Sequence, residues 1–355
     1  MKGYKHYVPI IKSKQAELEA VRGLSSITKQ NITPLLELIP VAWDFQKEAP
    51  KMSLKEHLDK SAGKIKKAWG CDLRFFMDLY LLNIAGTFAG HHPLEYFFNE
   101  LAKYELDVIP VIGLTQTHDY QQAVSNIAHK NKKRVCLRIR KEDIDDMLEL
   151  ALAIEKTLNA LKINAFDCDL VLDLENLPSK IPDDFVESLL DAIEYFPFLK
   201  DWCSFTLASS SFPLVLEVQQ NNDKLMPRND LLLWQTLIKA DIPRLPSFGD
   251  YAIQHPELSD LDFRFIKSSV NLRYATDKAW LVFKGREKVR HGYEQFNDIC
   301  RLLVKRKEYY GSEYSWGDGY IERCANNEDG PGNATTWRKV AFSHHITLTV
   351  EQVTT

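Results

Sequence analysis

Two stretches decide the fold: Arg134-Val135-Cys136-Leu137-Arg138-Ile139 and, further along, Asp169-Leu170-Val171-Leu172-Asp173-Leu174. Each is a short, nearly continuous run of branched and aliphatic residues. A strand wetted on one face alternates apolar with polar residues, whereas a strand covered on both faces does not need to. Runs of the same kind recur at 7–11, 33–38, 73–79, 107–112 and 203–208, with a weaker one at 248–253. Helix-periodic segments separate them. Ser53 and Glu56 form a capping-box pattern ahead of a helix over 54–68, and Pro93 opens one running to 104. Further helices are expected over 120–129, 144–161, 184–195 and 230–240. In 144–161 the residues Ile144, Met147, Leu148, Ala151, Ile154, Leu158 and Leu161 form the apolar stripe, with Leu150 and Leu152 outside it.

A series of seven or eight such βα units fits two α/β architectures, a closed (β/α)8 TIM-barrel-like domain or an open doubly wound sheet. The unit count and the lack of a large interruption favour the barrel. The first run is followed by Lys12-Ser13-Lys14, where a dinucleotide or P-loop cradle needs glycines. The barrel-like domain is expected over 1–265 and a C-terminal extension packed on it over 266–355. In the extension, 272–275 and 279–284 suit a hairpin around Thr276-Asp277-Lys278. A helix follows over 293–307, with Phe296, Ile299, Cys300, Leu303 and Val304 as its apolar face. The glycine-rich stretch holding Trp316, Gly317, Asp318 and Gly319 reads as a fixed turn, placing Trp316 over the open end of the barrel with Arg338, His344 and His345 in reach of the mouth. A last helix contains Trp337 and His344-His345, and 346–350 suits a strand equally well.

With 355 residues and a formal net charge of -4, the chain exerts no global pull on nucleic acid or anionic membrane. The six cysteines contain no CxxC pair, which fits buried, reduced thiols and a cytoplasmic location. Residues 1–14 lack the apolar core of a signal peptide, and the most apolar stretch, 79–89, is too short to span a bilayer. Asn333-Ala334-Thr335 matches a glycosylation sequon by chance in that compartment.

Barrels carry their sites at the C-terminal ends of the strands. Here those ends supply a ring of both signs: Lys12, Lys14, Glu37, Asp78, Arg138, Arg140, Asp173, Glu175, Ser209, Ser210 and Asp250. Asp173 and Glu175 are two apart on one strand, so both carboxylates are expected to face the mouth. With Glu37 and Asp78 they form a hard-oxygen set suited to Mg²⁺, with Asp173 and Glu175 as the metal ligands. Arg138, Arg140, Lys12, Lys14 and Asp250 would complete a site for an anionic ligand. The competing reading is that these charges neutralise one another as ion pairs. No HExxH, no GxSxG and no histidine after the first strand point to a named hydrolase class.

Residues 267–310 differ in texture. Lys267, Lys284, Arg286, Lys305, Arg306 and Lys307 are interleaved with Tyr274, Trp280, Phe283, Tyr293, Phe296, Tyr309 and Tyr310. Basic groups contact phosphates and exposed aromatics stack on bases, so this segment is a candidate nucleic-acid surface. A solvated hairpin and helix with aromatics in the core would carry the same composition.

Tyr7-Val8-Pro9-Ile10-Ile11-Lys12-Ser13-Lys14, followed by Ile32-Thr33-Pro34-Leu35-Leu36-Glu37, resembles the opening of the Beta protein family of phage and bacterial genomes. Tyr314-Ser315-Trp316-Gly317-Asp318 and Thr335-Thr336-Trp337-Arg338 through Ser343-His344-His345-Ile346 resemble its tail. The resemblance covers nearly the whole chain. It implies a phage-related or host-defence context and assigns no catalytic residue. Two functional classes follow. One is an interaction protein that binds nucleic acid or a protein partner. The alternative is a Mg²⁺-dependent phosphoester hydrolase or nuclease acting at the mouth of the barrel.

Overall fold

The computed structural model describes residues 3–82, 84, 87–88, 90–130, 134–144, 146–258 and 269–355, with Asp183 described by its backbone only. The apolar runs form the strands of a closed parallel barrel. They are β1 (Tyr7–Lys12), β2 (Leu35–Glu37), β3 (Phe75–Asp78), β4 (Val108–Ile112), β5 (Val135–Arg140), β6 (Cys168–Asn176), β7 (Ser204–Ser210) and β8 (Ser247–Asp250). Each strand pairs with the next, and β8 closes on β1 with Phe248 opposite Tyr7 and Asp250 opposite Pro9. Closure excludes the open-sheet alternative.

Side-chain alternation divides the strands between two layers. Val8, Ile10, Leu35, Phe76, Ile109, Val111, Cys136, Val171 and Ala208 fill the barrel, joined by Tyr251 just past β8. Tyr7, Ile11, Leu36, Met77, Leu137, Ile139, Leu170, Leu172 and Phe248 face outward to the helices. At Gly249 a Cβ would lie 2.9 Å from that of Ala208 and 3.1 Å from the Val8 carbonyl oxygen, so the glycine lets β8 fit between its neighbours. The capping box forms as expected: Glu56 N–H donates to Ser53 Oγ and Ser53 N–H to Glu56 Oε2. In the helix Met147–Leu161 the buried stripe is Leu150, Ile154, Leu158 and Leu161, while Leu148 and Leu152 are exposed. Ile144 and Met147 of the expected stripe pack against the core; Leu148 alone of the stripe is exposed, and Leu150, outside it, is buried.

The C-terminal residues build a second core onto the barrel. A three-stranded antiparallel sheet runs in the order Asn222–Pro227, Ala279–Glu287, Ser269–Ala275. The hairpin is the one expected around Thr276-Asp277-Lys278. Its third partner, Asn222–Pro227, comes from the connection between β7 and β8, so the extension shares hydrogen bonds with the barrel's own chain. The division expected at 265/266 falls within 259–268, outside the described residues, as do residues 83, 85, 86 and 89 of the stretch 79–89. No helix among the described residues is long and apolar enough to cross a membrane. All six cysteines are free thiols.

The last helix, Ala334–Thr354, continues through the segment that equally suited a strand. Its Trp337 and Val340 enter the second core, and its Phe342, Ile346 and Val350 enter the barrel's outer core. Adjacent histidines on a helix diverge, and here each pins one side. His344 lies between Asp318 Oδ2 (2.9 Å) and the Ala275 carbonyl oxygen (2.8 Å), stacked on Tyr274. His345 Nε2 faces Asp250 Oδ2 at 2.8 Å, beside Tyr7 and Trp280. Burial holds the His345 pKa below its ordinary value, against the opposing pull of Asp250.

The glycine-rich stretch is a helix, Trp316–Ala325, and not a turn. Ser315 Oγ caps it by accepting from Asp318 N–H. Trp316 stacks on Tyr320 and under Lys339 and does not cover the barrel. Gly317 is buried at a crossing of helices, where a Cβ would stand 2.3 Å from the Val340 carbonyl oxygen. Alanine normally stabilises a helix relative to glycine by up to about 1 kcal/mol. At this crossing the sign should reverse. Gly317→Ala is expected to lower stability to urea by roughly 1–3 kcal/mol, while Gly330→Ala, which meets nothing within 4 Å, should be near neutral.

Candidate functional site

The inward positions at the C-terminal ends of the strands are Lys12, Glu37, Asp78, Arg138 and Asp173, all buried. Such a set is stable only if the charges are paired and their hydrogen bonds met. Arg138, at the centre, is 1% exposed. Its Nη1 donates to Glu37 Oε1 (2.9 Å) and Asp78 Oδ2 (2.7 Å). Its Nη2 donates to Asp173 Oδ2 and to the Tyr251 hydroxyl, both at 2.7 Å, and its Nε to Asp173 Oδ2 at 2.9 Å. A guanidinium has five N–H groups, and this arrangement occupies the full fork. Tyr251 in turn donates to Asp173 Oδ2 at 2.6 Å. Burial opposes the charge on Arg138, but Tyr251, Asp173, Glu37 and Asp78 outweigh it and hold the pKa well above the usual guanidinium value.

The carboxylates are committed on their other sides too. Asp173 Oδ1 accepts from Glu175 N–H (3.0 Å) and Asp78 Oδ1 from Tyr80 N–H (2.8 Å). Glu37 Oε2 is the exception, buried with no hydrogen-bond partner. The guanidinium thus stands between the carboxylates, where a cation would have to sit. Among the described residues no three His, Cys, Asp or Glu side chains are grouped so as to hold a metal.

Lys12 is committed to backbone carbonyls. Its Nζ donates to the carbonyl oxygens of His255 (3.0 Å) and Pro256 (2.7 Å). Burial pushes its pKa down to about 8, against a weaker upward pull from Glu37. Arg140 Nη1 donates to Glu175 Oε1 at 3.0 Å, and its guanidinium lies 3.8 Å above the Tyr80 ring.

Five expected positions differ. Glu175 does not line up with Asp173: its backbone is left-handed (φ 54°) and the pairing register breaks there, turning the side chain toward Arg140 and solvent. Asp250 is not in the ring. Gly249 and Tyr251 take the inward positions, so Asp250 points outward, held by His345 and the Tyr7 hydroxyl. Arg338, His344 and His345 accordingly lie outside the mouth. Lys14 is half-buried at the N-cap position of the helix Gln15–Arg22. Ser209 is buried, and Ser210 Oγ donates to the Gln254 carbonyl oxygen. Tyr251, the hydroxyl that completes the Arg138 network, went unnoticed in the sequence. Nothing in the sequence marks it, because Gly249, two residues before it, has no side chain to show the inward phase.

In the basic segment, Trp280, Tyr274, Phe283 and Phe296 are 0–3% exposed and belong to the cores, so they are not platforms for bases. Arg286, Lys305, Arg306 and Lys307 are exposed, and Lys284 is half-buried. Arg306 pairs with Asp223, while Lys284, Arg286, Lys305 and Lys307 make no ion pair among the described residues. Lys267 lies outside the described residues.

A family model described as Beta protein matches residues 7–351. No curated protein matches the chain.

Removing Arg138 leaves three carboxylates around an empty centre. Arg138→Met is expected to cost roughly 3–5 kcal/mol of stability at neutral pH, read by urea titration beside wild type. Lys12 sets a pH dependence. Its folded pKa lies below that of the unfolded chain, so the unfolded state holds the proton longer and stability rises with pH through that window. Wild type should gain on Lys12→Met between about pH 8 and roughly the free-lysine pKa of 10.4. A flat difference would contradict a desolvated ammonium.

Proposed function

The chain belongs to the Beta protein family, and from that premise we propose that it is an interaction protein whose barrel is a closed scaffold and whose C-terminal sheet and helices offer a basic face to nucleic acid. Its setting is phage-related or host-defence, in the cytoplasm. One observation carries the reading. The mouth of the barrel spends its cationic centre on its own carboxylates, since each N–H of Arg138 meets Glu37, Asp78, Asp173 or Tyr251. The exposed cations Arg286, Lys305 and Lys307 are left without an ion pair among the described residues.

With Trp280, Tyr274, Phe283 and Phe296 in the cores, contact at the basic face is through charge and not base stacking. Binding of that kind releases counterions and weakens steeply with salt. Because the chain as a whole is negative, the face acts locally and affinity at physiological ionic strength is modest.

An electrophoretic shift across a salt series tests this. Every phosphate that a substitution leaves without its cation should flatten the log–log salt slope by about 0.7–0.9. Lys305→Gln with Lys307→Gln is therefore expected to weaken binding and flatten the slope by about 1.4–1.8 if both reach phosphate, and adding Lys284→Gln and Arg286→Gln should flatten it further. Binding indifferent to salt and to these substitutions overturns the proposal. Mg²⁺-dependent cleavage abolished by Asp173→Ala would assign phosphoester hydrolysis at the mouth instead. A protein partner is the reading if neither shift nor cleavage occurs.

A further inference from the structure

A cavity of about 300 Å³ opens where the end of β8 meets the C-terminal sheet and the start of the last helix. Its lining includes Arg273, Lys288 and Arg338, together with Asn271, Tyr293 and Trp337. The basic face described above uses none of these residues.

Among the described residues the charges do not balance. Arg273 donates to the Ile253 carbonyl oxygen (2.8 Å) and to Asn271 Oδ1 (3.0 Å), both neutral, and makes no ion pair among the described residues. Arg338 Nη1 shares Glu17 Oε1 at 3.2 Å with Gln254 Nε2 at 2.6 Å. Glu17 is fully buried and is the one carboxylate paired with these three cations among the described residues. Burial and the neighbouring charge of Arg338 push Arg273 down to about 9, as expected of a guanidinium short of a counter-ion. Ala334, the first residue of the last helix, also lines the cavity, so the positive end of that helix adds to the same sign.

The rest of the lining includes aromatic rings. Trp337 stacks on Phe296 at 4.0 Å and 10°, and Phe296 on Tyr293 at 6.3 Å and 10°, giving three nearly parallel rings. Tyr293 is the half-buried end of the stack. Cationic forks and an aromatic ring in one cavity suit a ligand with an oxyanion at one end and a planar ring at the other. The volume lies at the lower limit for small-molecule sites, enough for one nucleotide unit and too little for a dinucleotide.

We propose that this cavity binds a nucleoside monophosphate, with the phosphate between Arg273 and Arg338 and within reach of Lys288, and the base against Tyr293, the half-buried end of the stack. Calorimetry on the full chain with AMP, GMP, CMP and UMP tests it, using adenosine and inorganic phosphate as half-ligands. At least one monophosphate should bind, adenosine should not bind measurably, and inorganic phosphate should bind about tenfold more weakly than the nucleotide. Arg338→Gln should lower affinity about tenfold or more, by loss of a charge-assisted bond. Lys288→Gln should lower it several-fold and leaves the Glu17 pair intact, so a folding defect in the Arg338 variant does not void the test. Lys305→Gln with Lys307→Gln should leave nucleotide affinity unchanged, which separates this site from the surface face. The proposal is overturned if no monophosphate binds at millimolar concentration, if phosphate alone binds as tightly as the nucleotide, or if affinity is the same in wild type and in both cavity variants.

Discussion

A guanidinium buried inside a barrel imposes a condition on everything around it: each N–H must meet an acceptor, and each acceptor must be held in place. Arg138 meets that condition with groups from β2, β3 and β6 and with Tyr251 beyond β8. The cost of an unpaired charge at this depth is several kcal/mol, comparable to a large part of a domain's net stability. The cluster therefore ties together the ends of strands that adjacent hydrogen bonding alone does not connect. It also occupies the position in which barrel enzymes gather reactive groups.

The second constraint lies outside the barrel. The last helix is shared between two cores, and its consecutive histidines face Asp318 and Asp250. Arg228, fully buried ahead of the helix Asn229–Leu237, reaches the same helix through Thr349 and Gln352 and lies over Trp280. The C-terminal sheet, its covering helices and the closing strands of the barrel are held as one body by these buried polar contacts. The basic face and the aromatic cavity are consequently presented on a fixed frame.

Much of this was legible in the sequence, for a reason specific to parallel barrels. Strands covered on both faces read as apolar runs, and the eight runs fall on the eight strands. Alternation also placed Arg138 and Asp173 on the inside correctly. It failed at Glu175 because one left-handed residue ends the alternation, and at Asp250 because the phase there is set by Gly249, whose lack of a side chain hides which way it points. The strand Asn222–Pro227 carries the exposure of a sheet edge and no apolar run, so nothing marked it. The glycines of the helix Trp316–Ala325 read as a turn because the contact that requires one of them, the Val340 backbone, is supplied by a distant helix. The aromatic residues of 267–310 illustrate the same limit: composition cannot distinguish a ring that stacks on a base from one that fills a core.

The claim that the mouth is a closed structural plug has a direct readout in the side-chain NMR of Arg138. A fork fixed on both sides should give separate, slowly exchanging Nη signals that do not move when Mg²⁺, phosphate or nucleic acid is added, while amides around Arg286 and Lys305 respond to nucleic acid. Averaged Nη signals, or signals that shift on adding Mg²⁺ or phosphate, would mean that the mouth is open to ligand and would contradict the account.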